Sequence, residues 1–364
     1  MKILHPFPLF ALLPFSLSAE PVVETVAGTG QPELNIQSGQ TSQFNIADPF
    51  GVEFGPDGRL YVTEVGNHRI IAVDLEKGQA DTVIGTGKKG YSGDGGPAKD
   101  ADLNEPYEIR FDSCGNIYFV EMINNIIRKV DKDGNIHTIA GTGKKGYSGD
   151  GGPAKEATFN RPHSIALDGA KGHLYVADIG NHRIRRIDLK SGKVTGFAGN
   201  GEKRLPVDGQ TVSPGVPMIG PRALYITNRN LWVALREGHS VWKVDLDTRK
   251  ISHIAGTGKK GYSGDGGDPK LGTFNGPKGI VTDAKEENIY VVDTENQALR
   301  RIDLVNNRLT SHAGYGPKGK GYRGDNTPAT KAKFGRPHGI CIGPDGLVYT
   351  GDTLNHRVRR VAGE

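Results

Sequence analysis

Residues 85–98, GTGKKGYSGDGGPA, decide the fold because the chain contains this stretch more than once. The identical letters return at 141–154, and residues 256–267 repeat residues 85–96. The leading Gly-X-Gly also occurs at 28–30, 199–201 and 314–316, so successive copies start 57, 56, 58, 57 and 58 residues apart. An even period of this length indicates a single repeat architecture instead of several unrelated domains.

Each repeat carries the pattern of short β-strands. In the third copy, apolar or alternating segments at 164–167, 174–177, 183–187 and 193–197 are separated by clusters of Gly, Asp and Asn. No helical period runs between them. Four strands in a unit of about this size are typical of a propeller blade. The sequence therefore predicts an all-β fold, a six-bladed β-propeller of four-stranded antiparallel blades, with strands a to d running outward from the axis.

The phase of the repeat predicts how the ring closes. The sixth unit runs out after its strand c, at 361–364, and residues 24–28 match the strand d at 137–141. We expect the N-terminal strand to complete the last blade, because closure removes two exposed strand edges. The propeller then covers 20–364, in repeats at approximately 22–79, 80–136, 137–193, 194–250, 251–308 and 309–364.

Residues 1–19 have the pattern of a signal peptide: Lys2, a mostly apolar run, and small residues before position 20. We expect an extracellular or periplasmic protein; the alternative is a disordered N-terminal tail. Later stretches are too polar to predict a membrane span. The net charge of +5 is too small to indicate a nucleic-acid partner. We expect a monomer, with Cys114 in a turn and Cys341 in an inner strand as two unpaired thiols.

Three segments carry a family resemblance. Residues 174–184 (LYVADIGNHRI) and 348–358 (VYTGDTLNHRV) resemble the NHL repeat, named for its Asn-His-Leu core. The loop at 90–98 is similar to the linker of bacterial extracellular NHL proteins and of the teneurin NHL domain. The resemblance implies a six-bladed propeller but leaves the activity open, since the family includes lyases, sensor domains, RNA binders and interaction modules.

Two rings of side chains are the candidate ligand site. The first, which we call the mouth ring, follows the proline that begins each strand a: Phe50, Tyr107, His163, Arg222, Lys278 and His338. The second, the acidic ring, ends each strand b and is broken by Leu235 in the fourth blade: Glu64, Glu121, Asp178, Asp293 and Asp352. Both rings should lie on one face and converge on the axis. The alternative for the acids is that each binds neighbouring backbone N–H groups or an Arg.

The two histidines of the mouth ring test one enzyme class. Residues 161–167 and 336–340 resemble the histidine segments of the peptide α-amidating lyases, which hold zinc with three histidines from alternate blades. Here His163 and His338 are in opposite blades, while Phe50 and Lys278 occupy the alternate positions. A three-histidine zinc site is therefore not predicted.

A second enzyme class remains open, the gluconolactonase-like and strictosidine-synthase-like propellers. These relatives hold one divalent cation on the axis with carboxylate and amide oxygens, and the cation polarises a carbonyl. The resemblance implies that the acidic ring would supply ligands to a calcium ion, and that His163 or His338 would act as a base. This metal-dependent lactonase or esterase is the alternative function.

The repeated Gly-rich loops between the blades allow a structural and a binding interpretation. Their Tyr, Gly and Asp residues have a structural interpretation as tight turns, and their Lys pairs (88–89, 144–145 and 259–260) suit either solvation or an anionic partner. The fourth unit replaces this loop by 202–209, which makes it a candidate notch for a ligand. We predict a secreted or periplasmic binding module, without catalysis, whose loop-rich face binds a protein or a glycan.

Overall fold

The computed structural model describes residues 20–363, and this part of the chain forms a six-bladed β-propeller. The signal peptide predicted at 1–19 lies outside the described residues. Every blade contains an antiparallel sheet of four strands, which are consecutive in blades 1 to 5, and this confirms the predicted all-β class. No helix of the described part is long and apolar enough to cross a membrane.

The strands of residues 20–363 are, in chain order, β1 (Val22–Ala27), β2 (Ser38–Gln40), β3 (Pro49–Phe54), β4 (Leu60–Glu64), β5 (Arg69–Asp74), β6 (Gln79–Ile84), β7 (Pro106–Phe111), β8 (Ile117–Glu121), β9 (Ile126–Val130), β10 (Ile136–Ala140), β11 (Ser164–Asp168), β12 (His173–Asp178), β13 (Arg183–Asp188), β14 (Lys193–Ala198), β15 (Pro221–Thr227), β16 (Asn230–Leu235), β17 (Ser240–Asp245), β18 (Ile251–Ala255), β19 (Gly279–Thr282), β20 (Asn288–Asp293), β21 (Ala298–Asp303), β22 (Arg308–Ala313), β23 (Thr327–Pro328), β24 (Ile340–Ile342), β25 (Val348–Asp352) and β26 (Arg357–Ala362). Single-turn 3-10 helices lie in the connections, at Ala98–Asp100, Ala154–Glu156, Ile179–Asn181, Pro269–Leu271, Thr294–Asn296, Ala329–Lys331 and Thr353–Asn355.

The ring closes as predicted. The sixth blade has the strand order β24, β25, β26, β1, so the N-terminal strand is its outer strand d. Val23 pairs with Val361, and Glu24 pairs with Arg360, whose Nε lies 2.7 Å from a carboxylate oxygen of Glu24. Val23 is fully buried against the fifth blade, so closure adds apolar packing to the backbone hydrogen bonds.

The core lies between neighbouring blades. The alternation of side chains along a strand places one set of apolar residues on each face of a blade, and each face packs against the next blade. Tyr175 of blade 3 and Val233 of blade 4, for example, share one buried cluster with Trp242. The two cysteines are unpaired: Cys114 is exposed in a turn, and Cys341 is buried in β24.

Adjacent blades are also joined by a repeated hydrogen bond. A residue in the turn between strands b and c has a positive φ, and its side chain accepts the backbone N–H of a residue at the start of the next blade. His182 Nδ1, for example, accepts the N–H of Gly220 at 3.0 Å, and His356 Nδ1 of the last blade accepts that of Asp48 at 3.3 Å. We call these the clip residues: His68, Asn125, His182, His239, Gln297 and His356.

The clips position the mouth of the channel. The residue that donates to each clip also has a positive φ, and the proline and the mouth-ring residue follow it directly. Arg161 is one such donor, at 2.8 Å from Asn125 Oδ1, and His163 comes two residues later. The clip therefore fixes the direction in which each inner strand starts and the place where its mouth-ring side chain enters the channel.

Candidate functional site

The structure brings the mouth ring together at one end of the channel. Phe50 stacks on His338 with ring centroids 3.9 Å apart, and Phe50 lies 4.4 Å from Tyr107. Tyr107 meets the edge of His163 at 4.8 Å and lies under the guanidinium of Arg222 at 5.2 Å. Lys278 Nζ lies 3.5 Å from His338 Nε2. Side chains from all six blades therefore form one contiguous surface across the axis.

Arg222 is the unusual member of this surface. The residue is 3% exposed. Its guanidinium makes no hydrogen bond or ion pair with any residue between 20 and 363, and its contact is the ring of Tyr107. Burial lowers its pKa to about 10, and the nearby Arg236 adds to this effect, whereas the charges of Glu108 and Glu237 oppose it. Since no carboxylate in the described part of the chain forms a hydrogen bond with this nearly buried cation, its guanidinium is free to bind an incoming anion.

The other cation of the mouth ring has a partner. Lys278 Nζ donates to a carboxylate oxygen of Glu295 at 2.8 Å, and Arg336 donates to the same oxygen at 2.7 Å. Burial lowers the pKa of Lys278 to about 8. Desolvation of Glu295 is outweighed by the hydrogen bonds from Arg336 and Lys278, which lower the pKa of its carboxyl to about 2. One carboxylate therefore serves two cations, and the mouth keeps a positive excess.

Both histidines of the mouth ring lie in surroundings that favour the neutral imidazole. His163 Nδ1 lies 2.6 Å from the carbonyl oxygen of Arg161, and His338 Nδ1 lies 2.8 Å from that of Arg336. A carbonyl only accepts, so each Nδ1 carries the proton and each Nε2 is left as an acceptor. Burial and the surrounding Arg and Lys charges hold both pKa values well below the ordinary value.

A pocket of about 270 Å³ adjoins the mouth ring between blades 3 and 4, and we call it the mouth pocket. Its lining combines cations with one carboxylate: Arg161, His163, Ile179, Gly180, His182, Lys203, Arg236 and Glu237. Glu237 Oε1 accepts from Arg236 Nε at 2.8 Å, while its buried Oε2 accepts from no described residue. Lys203 comes from the divergent loop of the fourth blade, so part of that loop does line a cavity.

Deeper in the channel lies a charged group that the sequence analysis missed. Arg110 bonds to Glu108 at 3.0 Å and to Glu53 at 3.2 Å, and it reaches the carbonyl of Leu224 in the fourth blade at 3.0 Å. Burial raises the pKa of Glu53 to about 7. The signal for this group was the presence of charged residues in strands a, where the other blades have mainly apolar ones. It joins blades 1, 2 and 4 across the channel.

The acidic ring does not reach the channel. Its five carboxylates are 0% exposed, and each is bound inside its own blade. Asp178 accepts the backbone N–H of Asn160 and the side-chain amide of Asn181, both at 2.8 Å, and it lies 3.9 Å from Arg185. The same arrangement of backbone N–H, Asn and Arg surrounds Glu64, Glu121, Asp293 and Asp352. This geometry corresponds to the structural alternative given above for these acids.

The repeated loops extend the same network outward. Arg185 is bound by Asp150 at 2.7 Å and lies against the ring of Tyr147, both from the GYSGDGG loop. Equivalent loop residues bind the arginines of blades 2, 5 and 6. The loop thus covers a buried arginine, while its Lys pairs are exposed to solvent.

The fourth blade lacks both the acid of strand b and the arginine of strand c that pair in the other blades. Leu235 stands at the position of the acid, and Trp242 stands at the position of the arginine, and both are buried in one apolar cluster. The Nε1 of Trp242 donates to Ser240 Oγ at 2.9 Å. Exchange of both partners for apolar groups avoids an unpaired buried charge.

A calcium ion on the axis does not suit these residues. The mouth presents Arg222, Lys278 and imidazole nitrogens, whereas calcium prefers several carboxylate or carbonyl oxygens. The acidic ring is engaged by arginines, and Glu53 and Glu108 are engaged by Arg110. Within residues 20–363, no group of three His, Cys, Asp or Glu side chains is arranged to hold a metal ion.

Comparison with known proteins identifies repeats of one family. The NHL repeat matches residues 159–187 and 334–361, and the teneurin NHL domain matches residues 74–146. The human NHL repeat-containing protein 2 is 27% identical over 334 residues, which are 83% of this chain and 44% of that protein. The chain thus spans less than half of the length of the curated relatives that it matches.

Solved structures share the fold at low sequence identity. An auxiliary nutrient binding protein from Bacteroides thetaiotaomicron superposes with a TM-score of 0.68 at 17% identity, covering 95% of this chain and 77% of that one. A gluconolactonase from Xanthomonas campestris superposes with a TM-score of 0.58 at 12% identity, covering 96% of this chain and 93% of that one.

Proposed function

The chain is an NHL-repeat β-propeller, and we propose that it is a binding module that holds an anionic group of its ligand at the mouth of the channel. The observation that carries the proposal is Arg222, a cation that is 3% exposed and has no acceptor among the described residues. Leaving such a charge unpaired costs on the order of several kcal/mol, which an incoming carboxylate, sulfate or phosphate offsets.

The charges and acceptors of the mouth pocket indicate which further groups the ligand carries. Arg161, Lys203 and Arg236 add positive charge above the mouth ring. Glu237 Oε2 and the Nε2 of His163 are acceptors for hydroxyl or N–H groups. An acidic sugar unit of a glycan combines an anionic group with hydroxyl donors, so it can bind both the cations and the acceptors of the mouth pocket. An acidic side chain on a protein can bind the cations alone. The Bacteroides thetaiotaomicron protein that shares this fold is also named as a binding protein, an auxiliary nutrient binding protein.

Binding is favoured over metal-dependent hydrolysis by the placement of the carboxylates. A lactonase-like site needs carboxylate oxygens directed at a cation on the axis. In this chain the acidic ring is bound to arginines inside the blades, and cations surround the mouth. We also propose that the protein acts outside the cytoplasm, on the grounds of the signal-peptide pattern at 1–19.

Titration calorimetry with sodium glucuronate tests the proposal, with glucose as the neutral control. Wild-type protein should bind glucuronate, and Arg222→Met should weaken binding at least about tenfold, the loss expected for one charge-assisted contact of ~1.4 kcal/mol or more. Arg229→Met is the matched control, because Arg229 is 61% exposed and pairs with Asp247 on the surface. Equal binding by wild type and Arg222→Met would contradict the proposal.

The stability of Arg222→Met supplies an independent readout. Removal of an uncompensated buried charge should raise the free energy of unfolding of the ligand-free protein, the opposite of what a structural arginine would give. Chemical denaturation of the wild type and of Arg222→Met measures this difference in unfolding free energy. A clear loss of stability would show that Arg222 is a structural group.

A further inference from the structure

Two blades hold an arginine in a cleft beside the loop tyrosine. In blade 3 the guanidinium of Arg183 lies 3.9 Å from the ring centre of Tyr147. It donates to the carbonyl of Asn181 and to the carbonyl of Asn200, both at 2.7 Å. The ring provides the cation–π contact and the two carbonyls provide fixed acceptors, so the cleft is complementary to a guanidinium group.

Blade 6 repeats this arrangement. The guanidinium of Arg357 lies 4.2 Å from the ring centre of Tyr322. It donates to the carbonyl of Asn355 at 2.9 Å and to that of Thr29 at 2.6 Å. Thr29 and its counterpart in blade 3 are the middle residues of the Gly-X-Gly that follows strand d. The same three elements therefore recognise an arginine twice in this chain.

Blade 2 keeps the cleft and lacks the arginine. Ile126 stands at the position of Arg183, while Tyr91, Asn124 and Thr142 stand where the ring and the two carbonyls are found in blade 3. The result is a pocket of about 420 Å³ that we call the arginine pocket. Besides Ile126, its lining includes Tyr91, Asp94, Ile123, Asn124, Thr142 and Lys155.

The glycines of the Gly-X-Gly motif show that the space is open. A Cβ added to Gly201 would lie 2.8 Å from Arg183, and one added to Gly30 would lie 2.1 Å from Arg357. A Cβ added to Gly143 in blade 2 meets no atom closer than the carbonyl oxygen of Asn124, at 3.7 Å.

The remaining blades fill the same space with their own side chains. Leu34 occupies it in blade 1, Leu205 in blade 4 and Tyr262 in blade 5, each within 3 Å of the position of the added Cβ. Among the six blades of the described chain, blade 2 therefore stands alone in presenting this cleft to solvent.

We propose that the arginine pocket binds an arginine side chain of a partner protein. The carbonyl oxygens of Asn124 and Thr142 accept no hydrogen bond from any other described residue, so both are available. Tyr91 makes a cation–π contact with the buried Arg128 at 5.1 Å, but it lacks the second arginine that Tyr147 and Tyr322 contact.

The surroundings suit a residue carried on a protein surface. Tyr91 is 55% exposed and Ile123 is 41% exposed, so the rim offers apolar contact to the aliphatic part of an arginine and to its neighbours. Asp94 adds a carboxylate whose side chain is 42% exposed. Lys155 opposes the incoming charge, but it is an exposed side chain that water screens. An arginine inserted in such a pocket is a typical anchor of a protein interface.

Methyl NMR of isoleucine-labelled protein tests the proposal, with N-acetyl-arginine methylamide as the probe. Saturable shifts of the Ile123 and Ile126 methyl groups are expected, with a dissociation constant in about the millimolar range for a single side chain. The matched lysine amide and the neutral citrulline amide should bind at least about fivefold more weakly. Absence of saturable shifts, or equal binding of the three probes, would overturn the proposal.

Three variants complete the test, two that should weaken binding and one matched control. Ile126→Arg places in blade 2 the residue that blades 3 and 6 carry, so the protein should fill its own pocket and the Ile123 methyl should no longer respond to the probe. Ile126→Val, the matched control, should retain binding. Because Tyr91 is largely exposed, Tyr91→Leu should keep the fold and weaken binding about fivefold; undiminished binding by Ile126→Arg or by Tyr91→Leu would count against the proposal.

Discussion

Removal of the Asp178 carboxylate separates the two interpretations of the acidic ring. Asp178→Ala deletes the acceptor of two hydrogen bonds of 2.8 Å, from Asn160 N–H and from the amide of Asn181, at a site that is 0% exposed. Hydrogen bonds to a buried charge contribute about 1.5–3 kcal/mol each. Arg185 keeps Asp150 as a partner at 2.7 Å, so the cost stays below that of a wholly unpaired charge. We expect a loss of about 3–4 kcal/mol in the free energy of unfolding.

Urea denaturation at 25 °C, with and without calcium, measures this loss. The control is Asp133→Ala, whose carboxylate is 64% exposed and pairs with Lys132; its effect should stay within about 0.5 kcal/mol. Calcium should leave both variants and the wild type unchanged. The reasoning is refuted if Asp178→Ala costs less than about 1 kcal/mol and also abolishes a stabilisation of the wild type by calcium, because Asp178 would then be a metal ligand.

Three other predictions concern a clip residue, the closing strand and the two thiols. Burial lowers the pKa of the clip residue His239, so its contribution is complete above the ordinary His pKa of about 6.5 and is lost as the pH falls below that value. In His239→Asn, which copies Asn125 of blade 2, unfolding free energy should fall less between pH 7.5 and 5.5 than in wild type; a steeper fall would contradict the clip. Val23→Asp should destabilise the closing strand by several kcal/mol, about 3 or more, as judged by the urea midpoint, and a value near zero would contradict closure. Native protein should release one equivalent in a thiol titration with a chromogenic disulfide, from the exposed Cys114, and a second from Cys341 only after denaturation; two equivalents from native protein would disprove that burial.

The repeat, the number of blades and the closure by the N-terminal strand could be predicted from the sequence because they depend on period and phase. The mouth ring could be predicted for the same reason: the proline before each member fixes its place at the start of strand a. The clip residues were visible in the NHL motif as His182 and His356. Their role was not, because it depends on a backbone N–H that the following blade contributes.

The acidic ring shows what a pattern of residue types leaves open. Asp178 lies at the end of strand b as expected, but the direction of its side chain depends on Arg185, two residues inside the neighbouring strand c. Only the pairing of the strands reveals that the acid faces the blade. The arginine pocket was missed for a different reason. In blade 2, Ile126 stands where blades 3 and 6 have an arginine. The space that this leaves is recognised only when the blades are superposed.

The most direct measurement of the central claim is an anomalous difference map from crystals soaked in 4-bromobenzoate, a carboxylate that does not alkylate thiols. We predict that the strongest bromine peak lies at the channel mouth, with the carboxylate bound to the guanidinium of Arg222 and with no such peak in crystals of Arg222→Met. Bromine peaks confined to the exposed lysine pairs of the rim, with none at Arg222, would contradict the claim that this mouth is an anion-binding site.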